Sequence, residues 1–203
     1  AAPKSPAPPT DLWQRIRQQL TWQSIHNQQV GKARDAYLRQ PNYLSVVAGR
    51  AEFYLHHIVT EVERRGLPIE LALLPMVEST MNPFATSSEQ AAGLWQIMPA
   101  TGRHLGLRQD WWYDGRRDLR DSTRAALDYL EAQHASFDGD WMLALAAYNA
   151  GKGRVLRAQK KNRQRGKPTD YWSLDLPRET RKYVPRLIAL AQIIAFPETF
   201  GIA

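Results

Sequence analysis

Apolar residues recur at steps of three and four along most of this chain, a pattern typical of helices that bury one face. The pattern is clearest between Asn42 and Arg65, where we predict a helix with Asn42 as its N-cap and Gly66 as its left-handed C-terminal cap. A last helix is predicted over residues 178–195. No stretch alternates between apolar and polar residues for long enough to require a sheet. The pattern therefore predicts an all-α fold with a single core.

Shorter elements are predicted between these two helices. A helix is predicted to follow Leu67 and Pro68 and to run from Ile69 to Glu78. It should stop at Asn82, because a residue that precedes proline is steered away from helical backbone angles. Pro75 inside this helix predicts a kink or an early start. Residues 84–93 are small and polar and predict a loop. Three more helices are predicted: one that starts at Pro99, one from Ser122 (as N-cap) to Phe137, and one over residues 141–150.

The first 41 residues differ in composition from the rest of the chain. Four of the first ten residues are proline, which is typical of an extended tail or linker. Residues 11–30 carry Trp, Leu and Ile at helical spacing and predict one or two short peripheral helices. We therefore divide the chain into a proline-rich linker with a peripheral helical segment (residues 1–41) and a main domain (residues 42–203).

The composition excludes several classes of protein. The 203 residues contain no cysteine, which excludes a disulfide scaffold, an iron–sulfur cluster and a thiol nucleophile. The five histidines are not spaced as metal ligands and there is no HExxH motif, so neither a metal nor another cofactor is expected. No apolar run approaches the roughly 18 to 20 residues of a transmembrane helix.

The formal charge of +7 favours an anionic partner, either a nucleic acid, a lipid surface or an acidic polymer. Residues 152–167 carry eight cations and no acid, and we expect an exposed loop around a short helical stretch. Without interleaved aromatic residues or a known module, a solvated basic loop is favoured over a nucleic-acid site. Carboxylate-bearing polymers or anionic lipids would be attracted equally well, and no nucleic-acid partner is expected.

Glu78 is the candidate catalytic residue that the residues themselves single out. It ends an apolar helix and precedes a loop of small residues. Apolar surroundings and the negative end of a helix both disfavour an ionised carboxylate, so the pKa of Glu78 should be raised. A carboxyl group that is still protonated near neutral pH can act as a general acid. The alternative is a solvated glutamate at a helix terminus.

A second carboxyl group would be sought beside the acid, because most glycoside hydrolases use a pair. The candidates are Glu70, Glu89, Asp110 and Asp114, and none lies in a comparably apolar segment. Either the second group cannot be identified from the sequence, or the chemistry needs only one carboxyl.

Five tryptophans, at positions 95, 111, 112, 141 and 172, fall near predicted loops. Rings that line a cleft suit the apolar faces of sugars and equally those of nucleobases. The alternative is that most of these rings pack into the core or its rim.

Four motifs in order resemble those of the lytic transglycosylases, which cleave peptidoglycan and have a goose-type lysozyme fold. They are ESTMNP at 78–83, GLWQIMP at 93–99, AYNAG at 147–151 and ETRKYV at 179–184. Finer features, including LLPMVE at 73–78 and Trp95 in the second motif, resemble the D branch of the membrane-bound lytic murein transglycosylases. The resemblance implies an all-α, lysozyme-like catalytic domain over residues 42–203.

The resemblance also implies roles for single residues. Glu78 matches the family's catalytic acid, which would protonate the β-1,4 bond between N-acetylmuramic acid and N-acetylglucosamine. As a carboxylate it would then accept the proton of the muramoyl 6-hydroxyl, which forms a 1,6-anhydromuramoyl end in place of hydrolysis. The positions that match substrate-binding residues of the family are Ser87, Gln96, Met98, Tyr148, Asn149 and Tyr183.

The implied partner is the glycan strand of peptidoglycan, on the periplasmic side of the bacterial cell envelope and in association with the outer membrane. Membrane attachment is expected only through a lipid anchor outside these 203 residues, and a monomer is expected. Two alternatives stay open. One is a hydrolytic muramidase on the same fold, in which water replaces the 6-hydroxyl, and the other is a non-catalytic cell-wall-binding module.

Overall fold

The computed structural model describes residues 11–202, and the predicted proline-rich tail over residues 1–10 lies outside them. Over the described range the helices are α1 (Leu12–Arg17), α2 (Gln28–Leu38), α3 (Pro41–Arg64), α4 (Leu74–Ser79), α5 (Pro99–His104), α6 (Leu119–Ser136), α7 (Trp141–Ala150), α8 (Lys152–Gln164) and α9 (Arg178–Ala195). Short 3₁₀ segments and isolated β-bridges join them. The predicted all-α class is confirmed. None of these helices has the length and apolarity needed to cross a bilayer.

The last helix, α9, lies at the centre of the packing. It contacts α1, α2, α4 and α7, and its inner face carries fully buried Val184, Leu187 and Ile188. Each such side chain contributes roughly 1.5–3 kcal/mol when it leaves water. This burial explains why α9 forms although its outer face carries several cations.

Two predicted helix starts are wrong by a few residues. Helix α3 begins one residue before Asn42, and its N-cap is Gln40, because proline suits the first helical turn, where an N–H is not needed. Helix α6 begins three residues before Ser122, which is buried within it. Its N-cap is Asp118, whose carboxylate accepts the Asp121 N–H at 2.8 Å. Aspartate and serine are comparable caps, and both occur in this stretch.

The predicted basic loop is also wrong, because most of it is helix α8. Gly151, with φ of 89°, ends α7 and allows α8 to begin at once. The inner face of α8 buries Val155, Ala158, Gln159 and Asn162. Two of these four are polar, and the Asn162 side chain donates to the Pro168 and Ser173 carbonyls at 2.7 and 2.9 Å. The half-polar inner face weakened the hydrophobic pattern that would have indicated a helix.

The segment before α3 packs on the same core as the rest of the chain. Ile16, Leu20 and Val30 are buried, and α2 lies against α9. Glu70, in the 3₁₀ segment that follows α3, accepts the N–H of Thr21 at 2.5 Å and that of Trp22 at 2.7 Å. The division of the chain at residue 41 stays a prediction.

Candidate active site

Glu78 lies near the end of a short helix whose start is determined by local sequence. Residues 69–73 form a 3₁₀ segment, and α4 begins only at Leu74. Pro75 therefore falls in the first turn of α4, where its missing N–H leaves no hydrogen bond unmade. The α-helix therefore starts later than predicted, because Pro75 is accommodated in its first turn and the residues before it form the 3₁₀ segment.

The chain turns sharply directly after α4. Thr80 and Met81 have φ of 52° and 56°, angles that are rare for residues with a β-carbon and especially for threonine. Arg50 on α3 donates to the Thr80 hydroxyl at 2.9 Å, and the Ser79 hydroxyl donates to the Leu94 carbonyl at 2.8 Å. These contacts hold a strained turn in place, as is common at functional sites, and fix the direction in which Glu78 points.

The Glu78 side chain is half-buried, and the protein atoms around its carboxyl group desolvate it. This desolvation raises the pKa of Glu78 to about 8. The hydroxyl of Tyr183, which donates a hydrogen bond to Oε1, lowers the pKa, and the nearby charge of Glu179 raises it further. A carboxyl with such a pKa keeps its proton over much of the neutral range and can protonate a leaving group. The direction agrees with the expectation from the apolar residues of α4.

Two tyrosines from other helices stand beside this carboxyl. Desolvation, with the charge of Glu78 added, raises the pKa of both Tyr148 and Tyr183 well above the usual value, so both stay neutral. The Tyr148 hydroxyl donates to the Trp95 carbonyl at 2.7 Å, while that of Tyr183 donates to Glu78. The fold thus brings together one predicted residue from each of α4, α7 and α9.

The loop with the GLWQIMP motif is held by a buried arginine that sequence reasoning missed. A Cβ at Gly93 would lie 1.9 Å from the Arg116 carbonyl oxygen, so only glycine fits there. The Arg116 guanidinium donates to the Gln90 and Ile97 carbonyls at 2.7 and 3.0 Å and pairs with Asp114 at 2.8 Å. The sequence does not distinguish Arg116 from its neighbour Arg117, which is less buried.

A groove of about 280 Å³ lies beside Tyr148, between this loop and helices α6 and α7. Gln96, Met98, Tyr148 and Asn149, four of the predicted substrate-binding residues, line it. Met98 is 40% exposed. The amide of Gln96 donates to the Gly93 carbonyl at 2.8 Å, and Asn149 accepts the Thr180 hydroxyl at 2.8 Å. Two of the four therefore also support the walls of the groove.

Residues 57–170 match the family of the transglycosylase SLT domain. The chain belongs to this family. It is 48% identical over 196 residues to the membrane-bound lytic murein transglycosylase D of Escherichia coli strain K12. The aligned residues make up 97% of this chain and 43% of that protein. The chain thus spans less than half the length of this curated relative.

Two solved structures are similar to this fold. An inactive mutant of the lytic transglycosylase Slt from Pseudomonas aeruginosa gives a TM-score of 0.54 at 23% identity, over 94% of this chain and 33% of that one. The 70 kDa soluble lytic transglycosylase of Escherichia coli gives 0.50 at 25% identity, over 66% and 22%. The predicted family and the lysozyme-like fold are confirmed.

Ser87, the remaining predicted residue of this SLT domain, lies in the loop after Glu78. Its hydroxyl accepts the Ala91 N–H at 3.0 Å and so closes a tight turn. It lines neither this groove nor the larger one described below. A substrate contact by Ser87 stays a prediction.

Three of the four carboxylates considered as a second catalytic group make structural contacts, and Glu89 does not. Glu70 anchors the segment before α2, and Asp110 accepts the N–H groups of Trp112 and Tyr113 at 2.8 and 2.9 Å. Asp114 pairs with Arg116, and Glu89 is exposed at the rim of the small groove.

The carboxylate whose charge raises the pKa of Glu78 is Glu179. Glu179 is part of the ETRKYV motif, but the sequence assigned it no role. Glu179 pairs with Arg186 at 3.1 Å, and its side chain is 66% exposed. Across residues 11–202 there is no group of three or more His, Cys, Asp or Glu side chains that could hold a metal ion.

The tryptophans near loops divide between the core and the surface. Trp95 is fully buried and donates to the Thr123 hydroxyl at 3.1 Å, so it is a core residue. Trp141 stacks on His134 with ring centroids 4.0 Å apart. Trp111 and Trp112 are each 89% exposed and line neither groove.

Proposed function

We propose that this SLT domain is a lytic transglycosylase that cleaves the β-1,4 bond between N-acetylmuramic acid and N-acetylglucosamine and leaves a 1,6-anhydromuramoyl end. The observation that carries the proposal is Glu78, a desolvated carboxyl with a pKa raised to about 8 and a hydrogen bond from Tyr183. The relative named membrane-bound lytic murein transglycosylase D supports the same activity.

In the proposed reaction Glu78 acts twice. Its proton passes to the glycosidic oxygen as the bond from C1 to that oxygen breaks. The resulting carboxylate accepts the proton of the 6-hydroxyl of the same muramoyl ring, whose oxygen bonds to C1, and no water is consumed. The substrate's 2-acetamido group can stabilise the intermediate. A hydroxyl within the same ring outcompetes water because well-oriented intramolecular groups reach very high effective molarities.

The surroundings of Glu78 suit a group that must give and then regain a proton. Desolvation favours the protonated acid, while the Tyr183 hydroxyl stabilises the carboxylate that follows. Near neutral pH the two forms are therefore close in free energy, which is the condition for efficient general acid and base catalysis.

The setting of Glu179 helps to distinguish the transglycosylase from the hydrolytic alternative. A muramidase with a water nucleophile would use a second carboxyl as its base. Glu179 is ion-paired with Arg186 and mostly exposed. The ion pair and the exposure are typical of a surface carboxylate and not of a general base positioned against a water, and this favours the transglycosylase reaction.

The proposal is tested on purified sacculi digested in water enriched in ¹⁸O, with the released muropeptides analysed by mass spectrometry. A transglycosylase releases ends that are lighter by one water and carry no label. A muramidase releases reducing ends that carry the label, which would refute the intramolecular step. A wall-binding module would sediment with sacculi and release nothing.

We further propose that Ser87, Gln96, Met98, Tyr148, Asn149 and Tyr183 contact the glycan around Glu78. We propose the periplasmic side of the cell envelope, in association with the outer membrane, as the location. The membrane-bound relative supports an envelope location. The expected monomer and the expected lack of a nucleic-acid partner stay predictions.

A further inference from the structure

A second and larger groove, of about 820 Å³, runs between α2 and the first half of α9. We call it the basic groove. It is lined from α2 by Gln29, Lys32, Ala33, Ala36 and Tyr37, from α9 by Arg178, Arg181, Lys182, Pro185 and Arg186, and from the segments between by Arg39, Gln40, Tyr43, Val77, Tyr171, Trp172 and Leu174. Two lining residues, Val77 and Lys182, are the chain neighbours of Glu78 and Tyr183, which do not themselves line the groove.

The charge of the basic groove has one sign. Six lining residues are cationic and none is acidic. Arg186 pairs with Glu179, whereas the other five make no ion pair with a carboxylate within residues 11–202 and are exposed. Arg178, Arg181 and Lys182 sit at helical spacings that bring like charges together, which is unfavourable without a counterion. The groove therefore attracts anions.

The floor of the basic groove is aromatic. Tyr37 and Tyr43 stack with centroids 5.5 Å apart, and Trp172 packs edge-on against Tyr171 at 4.9 Å. The Tyr43 hydroxyl donates to the Met76 carbonyl at 3.1 Å, which ties this floor to α4. Rings beneath a rim of cations suit a ligand that combines apolar surface with negative charge.

We propose that the basic groove binds the stem peptide of peptidoglycan, a short peptide with free carboxylates that is attached to the muramoyl lactyl group. This inference rests on the proposed function. A volume of about 820 Å³ is within the roughly 300–1,000 Å³ of sites that enclose small ligands. A bilayer or a nucleic-acid duplex presents a broad anionic face, which a walled groove admits only in part.

The position of the groove gives stem-peptide binding a consequence for catalysis. A peptide held there would keep its own glycan strand near Glu78, because Val77 and Lys182 are the chain neighbours of the hydrogen-bonded pair. Binding energy from a part of the substrate that does not react would thus help to orient the part that does. We expect stem-bearing strands to be cleaved in preference to strands without peptides.

The test compares two triple variants that remove the same charge. The groove variant is Lys32→Gln, Arg178→Gln, Lys182→Gln, three exposed residues without ion pairs in the described part of the chain. The matched control is Lys160→Gln, Arg163→Gln, Arg165→Gln on and directly after α8, which are also exposed and line neither groove. Both are assayed on soluble uncrosslinked strands and on the same strands after an amidase has removed the stem peptides.

The ratio of kcat/KM for stem-bearing strands over denuded strands should fall about tenfold in the groove variant, which corresponds to about 1.4 kcal/mol. It should stay at the wild-type value in the control. A ratio near one in the wild-type protein, or one unchanged in the groove variant, would overturn the inference. If either of these results is found while the protein still releases anhydro ends from denuded strands, the stem-peptide inference fails and the proposed function is retained.

Direct binding gives a readout that does not depend on activity. The free tetrapeptide L-alanyl-γ-D-glutamyl-diaminopimelyl-D-alanine is titrated into the full chain and followed by NMR. Shifts that map to α2 and α9 and vanish in the groove variant support the inference, and no saturable shift there overturns it. Cosedimentation with phosphatidylglycerol vesicles, lost only in the groove variant and without an effect on stem preference, would assign the groove to lipid and also overturn it.

Discussion

Glu70 and Glu78 are two carboxyl groups from neighbouring turns of the chain with different surroundings, and the Glu78 side chain is only half-buried. Glu70 is fully buried and accepts two backbone N–H groups, from Thr21 and Trp22. Among the described residues the hydrogen-bond donor to Glu78 is one neutral hydroxyl, that of Tyr183. Charge-assisted bonds from backbone N–H groups make a carboxylate an anchor. Desolvation with a single weak donor makes it a group that holds a proton near neutral pH.

The hydrogen-bond donors around each carboxyl determine what that group does. The expectation that Glu70 lies in a less apolar setting than Glu78 is wrong, because Glu70 is fully buried between the apolar residues Ile69 and Leu71. The difference lies in which distant segment arrives beside each one. Residues 21–22 bring N–H groups to Glu70, and α9 brings a tyrosine to Glu78.

The largest expected effect is that of Glu78→Gln on activity. Loss of the proton donor should slow the clearing of purified sacculi roughly 10²- to 10⁴-fold. The circular dichroism spectrum should be retained. Clearing at the wild-type rate would remove Glu78 from the mechanism. Glu179→Gln is the matched control, since it neutralises the carboxylate that acts on Glu78 and leaves the acid in place, and its loss should be far smaller.

Glu70→Ala is expected to lower stability and to leave activity unchanged, the reverse of Glu78→Gln. Two backbone N–H groups lose their acceptor, which should lower the free energy of unfolding by about 2 kcal/mol. The midpoint of urea denaturation should fall, while kcat per folded molecule is retained. Glu70→Gln keeps an acceptor oxygen and should lose less. Full stability in Glu70→Ala, or a loss of kcat at full folding, would contradict the assignment of Glu70 as an anchor.

The smallest effect is a shift in the pH dependence of activity. Because Glu78 must be protonated to act as the acid, activity should fall on the alkaline side with a midpoint near its pKa of about 8. The Tyr183 hydroxyl lowers this pKa, so Tyr183→Phe should move the midpoint to higher pH. Tyr148→Phe should move it less, because that hydroxyl donates to the Trp95 carbonyl. A midpoint that moves to lower pH in Tyr183→Phe would show that its hydroxyl stabilises the protonated acid.

Helix positions were predictable wherever a helix buries an apolar stripe, as α3, α7 and α9 do. Helix α8 was missed because half of its inner face is polar and pairs with carbonyl groups from residues 168–173. Exact caps were missed where two good capping residues compete, as at Asp118 and Ser122. The two failures differ in cause. Helix α8 depends on partners from a later segment, whereas the cap at Asp118 is a local hydrogen bond that competed with an equally good candidate.

The sequence by itself determined that the chain is helical, that Glu78 would sit at the end of an apolar helix, and that four motifs follow in the order of the lytic transglycosylases. Only the tertiary structure decided that Tyr183 donates to Glu78, that Glu179 lies close enough to act on it, and that cations from positions 32 to 186 line one groove. Helical periodicity tells which face of a helix is buried, but it does not tell which helices meet. Donors, charges and cavities arise where they meet.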